Sequence, residues 1–230
     1  MTQPAIDRRR ALIALLLIAP IPSVGVIVAM VVAPGPVGKI LFMAAKIWLL
    51  AFPAAWYLLA EKGTPSWSPP HRGGLAIGAV SGIILAVIIV VGAWLVGVQH
   101  TDLAPLRTAV REMDLNSAVP YLAGAAGWTF VNSLMEEYVY RWFIFRQCET
   151  LMKGAVAVIA SAAIFTAHHV IAVSQYLDPA FTILASAGVF AGGVVWSGLY
   201  RRYRSIWPGW LSHVLADVAV FGIGWYLLFG

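Results

Sequence analysis

The feature that most constrains the fold of this chain is a series of long apolar runs with almost no charged residues. The run at 74–98, for example, contains no charged side chain at all. A helix needs about 20 consecutive apolar residues to cross a bilayer. Runs of about this length lie at 11–33, 39–60, 74–98, 119–147, 154–174, 179–200 and 206–228. The sequence therefore predicts an all-α fold, a polytopic membrane helix bundle of about seven transmembrane helices.

The composition argues against a soluble domain. Only 11% of the residues are charged and 61% are hydrophobic, whereas soluble domains carry about 25% charged residues. The turn residues of 61–73 predict a loop there, and the polar segment 99–117 is the longest predicted connector. No repeat or soluble module is evident, so 1–230 is predicted to form a single transmembrane domain.

The basic residues predict the orientation of the chain, because cytoplasmic connectors of membrane proteins are enriched in Lys and Arg. With a cytoplasmic N-terminus, the inner connectors hold Arg8, Arg9, Arg10, Lys62, Arg72, Arg146, Lys153, Arg201, Arg202 and Arg204. The outer side then holds Lys39, Arg107 and Arg111. The net charge of +5 therefore reflects topology, and no nucleic-acid partner is predicted.

Two adjacent glutamates, Glu136 and Glu137, interrupt the run at 119–147. Ionised groups at membrane depth are costly and are therefore usually functional. Helical spacing places Glu137 on one face with Arg141, four residues on, so that the two charges can pair. Glu136 lies about 100° away on a face shared with Asn132 and Tyr140. Since Glu136 has no charged partner on its own helix, it is the predicted catalytic carboxylate.

Two further apolar helices carry ionisable residues, and together with Glu136 they indicate one shared site. The run at 154–174 contains His168 and His169, and the run at 206–228 contains His213 and Asp217 at helical spacing. An isolated histidine in an apolar helix is usually satisfied by a carbonyl oxygen. Here three separate helices carry ionisable groups, and if these groups did not meet, each would need its own polar partner inside the membrane. A common cluster, in which the groups are partners of one another, is therefore favoured.

The residue types in this cluster allow two chemistries. A desolvated glutamate can act as general base, and histidines can orient a water molecule or donate to a developing oxyanion. A glutamate base with such histidines is suited to the attack of water on an amide carbonyl. Alternatively, two histidines and one glutamate can supply three ligands of a catalytic zinc ion and leave one position open. The spacing alone does not separate these arrangements.

Other intramembrane chemistries have signatures that this sequence lacks, namely an H-E-x-x-H helix, a G-x-S-G motif or a pair of helix-borne aspartates. Cys148 is the single cysteine, so an internal disulfide is excluded. It is a poor candidate for a nucleophile because no adjacent base is identifiable.

Three short motifs in order resemble the CPBP family, the CAAX proteases and bacteriocin-processing enzymes, also called Abi or type II CAAX prenyl endopeptidases. The motifs are E-E-x-x-x-R at Glu136, Glu137 and Arg141, F-x-x-x-H at Phe165 and His169, and H-x-x-x-D at His213 and Asp217. Asp217 departs from the prenyl-processing eukaryotic members, which carry Asn at this position. The resemblance makes about 119–228 the family-like catalytic core and leaves the helices at 11–98 accessory.

The resemblance implies a conical cavity open to the cytoplasm and assigns roles to the motif residues. Glu136 and His169 would activate the water, and His213 and Asp217 would stabilise the oxyanion. Glu137 and Arg141 would be structural. From its position on the face of Glu136, we also assign Asn132 a supporting structural role. The family has been described both as metalloproteases and as metal-free glutamate proteases, so zinc is a candidate cofactor.

A count of helical rise weighs slightly against a metal ion. At 1.5 Å per residue, Glu136 lies about 15 Å from Arg146, and His213 about 13 Å from Arg204. His169 lies about 24 Å from Lys153 on the same count, deeper than its proposed partners. We therefore expect hydrogen bonding through water, with Glu136, His169 and His213 as the ligands if a metal is bound. His168 is expected to face elsewhere and to pack.

The predicted function is an intramembrane endopeptidase that cleaves peptide or protein substrates near the cytoplasmic membrane face. One alternative is a non-catalytic family member that acts as a bacteriocin or toxin immunity protein or as a membrane scaffold. A transporter or a bis-histidine haem protein is a weaker alternative, because the sequence shows no inverted repeat and haem ligation does not explain Glu136. The abundance of Ala, Val and Arg predicts a bacterial plasma membrane protein.

Overall fold

The structure is a computed structural model that describes residues 7–66, 68, 74–98 and 102–230. These residues form a bundle of helices, and none of them lies in a strand. We number the helices α1 (Arg8–Val32), α2 (Pro36–Ala60), α3 (Gly74–Leu95), α4 (Ala104–Glu112), α5 (118–151), α6 (Ala155–Val173), α7 (Pro179–Tyr203) and α8 (Trp207–Phe229). The all-α fold predicted from the sequence is confirmed. The predicted loop residues 67 and 69–73, with Arg72 among them, lie outside the described part of the chain.

Six of these helices, α1, α2, α3, α6, α7 and α8, are long and apolar enough to cross a membrane. The remaining long helix, α5, corresponds to the predicted span at 119–147 and contains both glutamates. Large apolar side chains such as Ile88 and Leu95 are 61% and 82% exposed on the outside of the bundle. An apolar exterior of this kind is expected for helices that face lipid. The protein is therefore an integral membrane protein with about seven transmembrane helices.

Helix starts follow the local signals of the sequence. α2, α7 and α8 each have a proline in the first turn, where its missing N–H is not needed. The Asp178 carboxylate caps α7 by accepting hydrogen bonds from the backbone N–H groups of Ala180 and Phe181. The predicted boundaries of these helices are correct to within a few residues for this reason.

Two features of the helices were not predicted. The connector 99–117 contains α4, a helix of nine residues, and the Asp102 carboxylate accepts a hydrogen bond from the backbone N–H of Ala104, its first residue. In addition, α5 has π-helical turns at Gly127–Asn132 and Glu137–Phe145. Such turns hold more residues than an α-helical turn and are frequent at functional sites. The second π-helical segment begins at Glu137, within the predicted site.

α3 and α8 pack closely through small residues. Gly74, Gly78 and Gly82 recur every four residues along the face of α3 that contacts α8. A Cβ atom at Gly82 would lie only 2.8 Å from the Cα atom of Ser212. Small residues at this spacing let the backbones of two membrane helices approach each other. The contact fixes the position of Ser212 and of its neighbour His213.

Polar contacts gather at one end of the bundle. Arg10 donates to the backbone oxygen of Ala60 at 2.7 Å, and Arg146 pairs with Glu61 at 3.1 Å. Arg204 forms two hydrogen bonds with Glu149, and this contact raises the pKa of the Arg204 guanidinium. These arginines belong to the set that the sequence predicts on the inner side. The predicted inner connectors therefore lie together at one end of the bundle.

Cysteine labelling will test the orientation. Thr64 and Asn116 are exposed and belong to the connectors that precede α3 and α5. In a Cys148→Ala background, Thr64→Cys should react with a membrane-impermeant maleimide only from the cytoplasmic side, and Asn116→Cys only from outside. Labelling of both positions from the same side would contradict the predicted topology. Cys148 is the single cysteine of the chain, so the introduced thiol is the only one that can be labelled in this background.

Candidate intramembrane active site

Glu136 lies at the centre of a polar cluster inside the apolar bundle. The residue is only 8% exposed. Asn132, one turn earlier on α5, donates from Nδ2 to Glu136 Oε1 at 2.9 Å. The other carboxylate oxygen, Oε2, lies 3.6 Å from His213 Nε2, which is too long for a hydrogen bond. The two oxygens therefore have different surroundings, with Oε1 held by Asn132 and Oε2 near His213 of α8.

Glu137 is paired as the helical spacing predicts. Its Oε1 lies 3.5 Å from Arg141 Nε, and both side chains are fully buried. The Arg141 guanidinium also lies against aromatic rings, 4.3 Å from the centroid of Phe165 and 5.1 Å from that of Trp196. Such contacts stabilise a desolvated cation. Glu137 additionally packs against the backbone at Gly209, where a side chain would collide with its carboxylate.

His213 connects the two glutamates. Its Nδ1 lies 3.2 Å from Glu137 Oε1. Since an ionised carboxylate can only accept, His213 donates this hydrogen bond from Nδ1. Its Nε2 then faces the site, 3.6 Å from Glu136 Oε2 and 3.7 Å from Asp217 Oδ1. The predicted proximity of His213 and Asp217 is therefore present.

Trp196 of α7 holds the imidazole ring of His213 in place. The two rings stack with centroids 3.8 Å apart and an angle of 16° between their planes. Trp196 Nε1 donates to Ser212 Oγ at 3.1 Å, and Ser212 in turn contacts Ser81 of α3. The orientation of His213 thus depends on α3, α5, α7 and α8 together.

His169 and His168 enter the site from α6. His169 Nδ1 lies 3.0 Å from the backbone oxygen of Phe165, which can only accept, so Nδ1 carries the proton and Nε2 is free to accept or to ligate. His168 Nδ1 lies 3.1 Å from the hydroxyl of Tyr140. The two imidazole centroids are 4.0 Å apart. The expectation that His168 faces away from the site is wrong.

The donor atoms of Glu136, His168 and His169 lie within 4.8 Å of one another. This is the grouping with metal-binding potential within the described part of the chain, and His213 is not part of it. The argument against a metal ion assumed that His169 lies deeper in the membrane than Glu136. This assumption is wrong, because the donor atoms of the two residues lie close together. Both histidines hold Nδ1 in a hydrogen bond, a pattern typical of metal-ligating imidazoles. The residues therefore fit a His₂Glu zinc centre.

Lys46 of α2 is the part of the cluster that the motif analysis did not include. Its ammonium group donates to Asn132 Oδ1 at 2.8 Å. A lysine in the middle of an otherwise apolar membrane helix is itself a signal of function, and this signal was present in the sequence. Its partner could not be predicted, because contacts between distant helices are not encoded in local spacing.

The described elements define a class of protein: an integral membrane bundle with a buried cluster of carboxylates and histidines. The family model described as type II CAAX prenyl endopeptidase Rce1-like matches residues 118–219. This segment includes every motif residue from Glu136 to Asp217. Through this segment the chain is similar to the CAAX proteases. No curated protein and no solved structure matches the chain.

Proposed function

We propose that this protein is an intramembrane endopeptidase that cleaves peptide or protein substrates near the cytoplasmic membrane face, using water activated by Glu136 and His169. The supporting observation is the convergence of Glu136, His168 and His169, from two helices, within 4.8 Å inside an apolar bundle. The similarity of residues 118–219 to type II CAAX prenyl endopeptidases supports peptide-bond hydrolysis as the reaction.

The general base in this proposal is Glu136, whose Oε2 is the oxygen that Asn132 leaves free and that lies near His213. A water held between this oxygen and His169 Nε2 would lose a proton to Glu136 as its oxygen attacks the scissile carbonyl carbon. Glu136 then returns the proton to the leaving amine nitrogen when the carbon–nitrogen bond breaks. The hydrogen bond from His169 Nδ1 to the Phe165 oxygen keeps Nε2 available to accept from the water.

The oxyanion in this proposal is stabilised by His213. For this role the ring carries protons on both nitrogens: Nδ1–H is held by Glu137, and Nε2–H is directed into the site. Asp217 lies 3.7 Å from Nε2 and can orient the ring before substrate enters. Such a donor acts strongly in a water-poor site because it is already oriented when charge develops.

Metal content distinguishes two versions of this mechanism. If a zinc ion is bound, Glu136, His168 and His169 would hold it, and it would supply Lewis-acid activation of the water. We expect instead that protein washed with chelator keeps its activity, because a glutamate base and a histidine can activate a water molecule held between them without an ion. Mass-spectrometric metal analysis will measure zinc per chain in the wild type, His168→Gln and His213→Gln. One equivalent that tracks with activity and is lost only in His168→Gln would contradict the metal-free version.

A proteomic comparison tests the proposed function. Membranes containing the wild type should show new peptide N-termini that are absent from membranes containing Glu136→Gln at equal abundance. Identical N-termini in both samples would contradict endopeptidase activity and would favour a non-catalytic role.

A further inference from the structure

We propose that Lys46 is a positioning residue that orients the Glu136 carboxylate through Asn132. This inference rests on the proposed function, in which Glu136 is the general base. It extends the site beyond residues 118–219, the segment matched by the family model, to a helix of the N-terminal part of the chain. Lys46, Asn132 and Glu136 form a continuous chain of hydrogen bonds that runs from α2 to the base.

The orientation of the Asn132 amide follows from the chemistry of lysine. The oxygen and nitrogen of an amide are hard to tell apart by shape, and their assignment normally depends on the surrounding hydrogen bonds. A lysine ammonium can only donate, so the atom 2.8 Å from Lys46 Nζ must be the amide oxygen. The amide nitrogen is then directed to Glu136 Oε1, 2.9 Å away, as a donor. Without Lys46, the amide of Asn132 would be free to rotate.

This chain of contacts selects one oxygen of the base. Because Asn132 occupies Oε1, the oxygen left to face the catalytic water is Oε2, next to His213. A carboxylate with one oxygen held has a fixed plane, and this is what a base needs for a directed proton transfer. The ammonium also balances the negative charge of Glu136 without direct contact, so Oε2 stays accessible.

The depth of Lys46 argues against a purely interfacial role. Lysines near the ends of membrane helices extend their side chains to the interface. Lys46 lies ten residues after Pro36, the start of α2, or about 15 Å along the axis. Its ammonium group instead contacts Asn132 and lies 5.5 Å from the ring of Phe42. The side chain of Lys46 is therefore directed into the site and not toward the interface.

The test compares lysine variants of one helix. The assay uses a quenched-fluorescence peptide with the sequence of a site identified by N-terminal proteomics. Lys46→Met should lower kcat about 10- to 100-fold, as loss of a supporting contact typically does, with KM unchanged. Lys46→Arg, which keeps the charge and the donors, should recover most of this loss. Lys39→Met, at an exposed lysine of the same helix, should behave as the wild type.

A second variant keeps the inference testable if Lys46→Met is poorly folded. Asn132→Ala should lower kcat to a similar extent, and Lys46→Met should have little further effect in that background, because coupled residues are not additive. Wild-type kcat in Lys46→Met or Asn132→Ala, or independent effects of the two, would overturn the positioning role. If these variants are normal while Glu136→Gln is inactive, only this inference fails. If Glu136→Gln is fully active, the proposed function fails as well.

Discussion

Glu136→Gln is expected to lower kcat/KM by about 10²- to 10⁴-fold, the usual contribution of a general base. The substitution removes the proton-accepting oxygen but keeps the size of the side chain. Glutamine can still accept the hydrogen bond that Asn132 donates to Oε1. Purified protein should therefore keep the thermal unfolding midpoint of the wild type. Peptide cleavage and thermal unfolding, measured on the same sample, will separate catalysis from folding.

Glu149→Gln provides a control for the loss of a carboxylate on α5. Glu149 pairs with Arg204 at the end of the bundle, and both side chains are partly exposed. Exposed ion pairs contribute only about 0–1 kcal/mol. This variant should therefore keep both activity and stability. Full activity of Glu136→Gln would contradict the assignment of the base, whatever the control shows.

The fold was largely predictable because the membrane makes simple demands on sequence. A spanning helix must be long, apolar and internally hydrogen-bonded, and the predicted run at 39–60 corresponds to α2 at Pro36–Ala60 for this reason. α4 was not predicted because a helix of nine residues in a polar connector has no such signature. The π-helical turns of α5 were also not predicted, since the apolar pattern does not distinguish them from α-helical turns.

The site was predictable where partners lie on one helix. Glu137 and Arg141, and likewise His213 and Asp217, are four residues apart and do lie close together. The prediction for His168 failed because it assumed that two consecutive residues, His168 and His169, must point to opposite sides of the helix. Side chains about 100° apart on a helix can both reach a site that lies between them, and the Tyr140 hydroxyl holds His168 there.

The estimates of membrane depth from helical rise failed for a different reason. They assume that helices start at one level and run parallel to the membrane normal, whereas tilt is set by packing. Glu136 and His169 therefore meet, although the counts placed them about 9 Å apart in depth. The contact between Lys46 and Asn132 spans 86 positions of the chain, and no local pattern encodes it.

Glu137→Gln is expected to destabilise the protein by about 3–5 kcal/mol, the usual cost of removing one partner of a buried ion pair. Arg141 is fully buried, and its charged partner in the described structure is Glu137. Phe165 and Trp196 contact the guanidinium but cannot neutralise it. The variant should show a lower unfolding midpoint and a lower yield of monodisperse protein. Glu136→Gln, one residue away, should show neither change.

A double variant distinguishes an unpaired charge from general damage to the site. Glu137→Gln with Arg141→Met removes both charges, and apolar replacement of a buried ion pair is often neutral or stabilising. The glutamine introduced in this variant would still offer an oxygen to His213 Nδ1, which donates to Glu137 in the wild type. We therefore expect the double variant to be more stable than Glu137→Gln alone. Equal or greater destabilisation would show that Arg141 stabilises the bundle through its ring contacts rather than through Glu137.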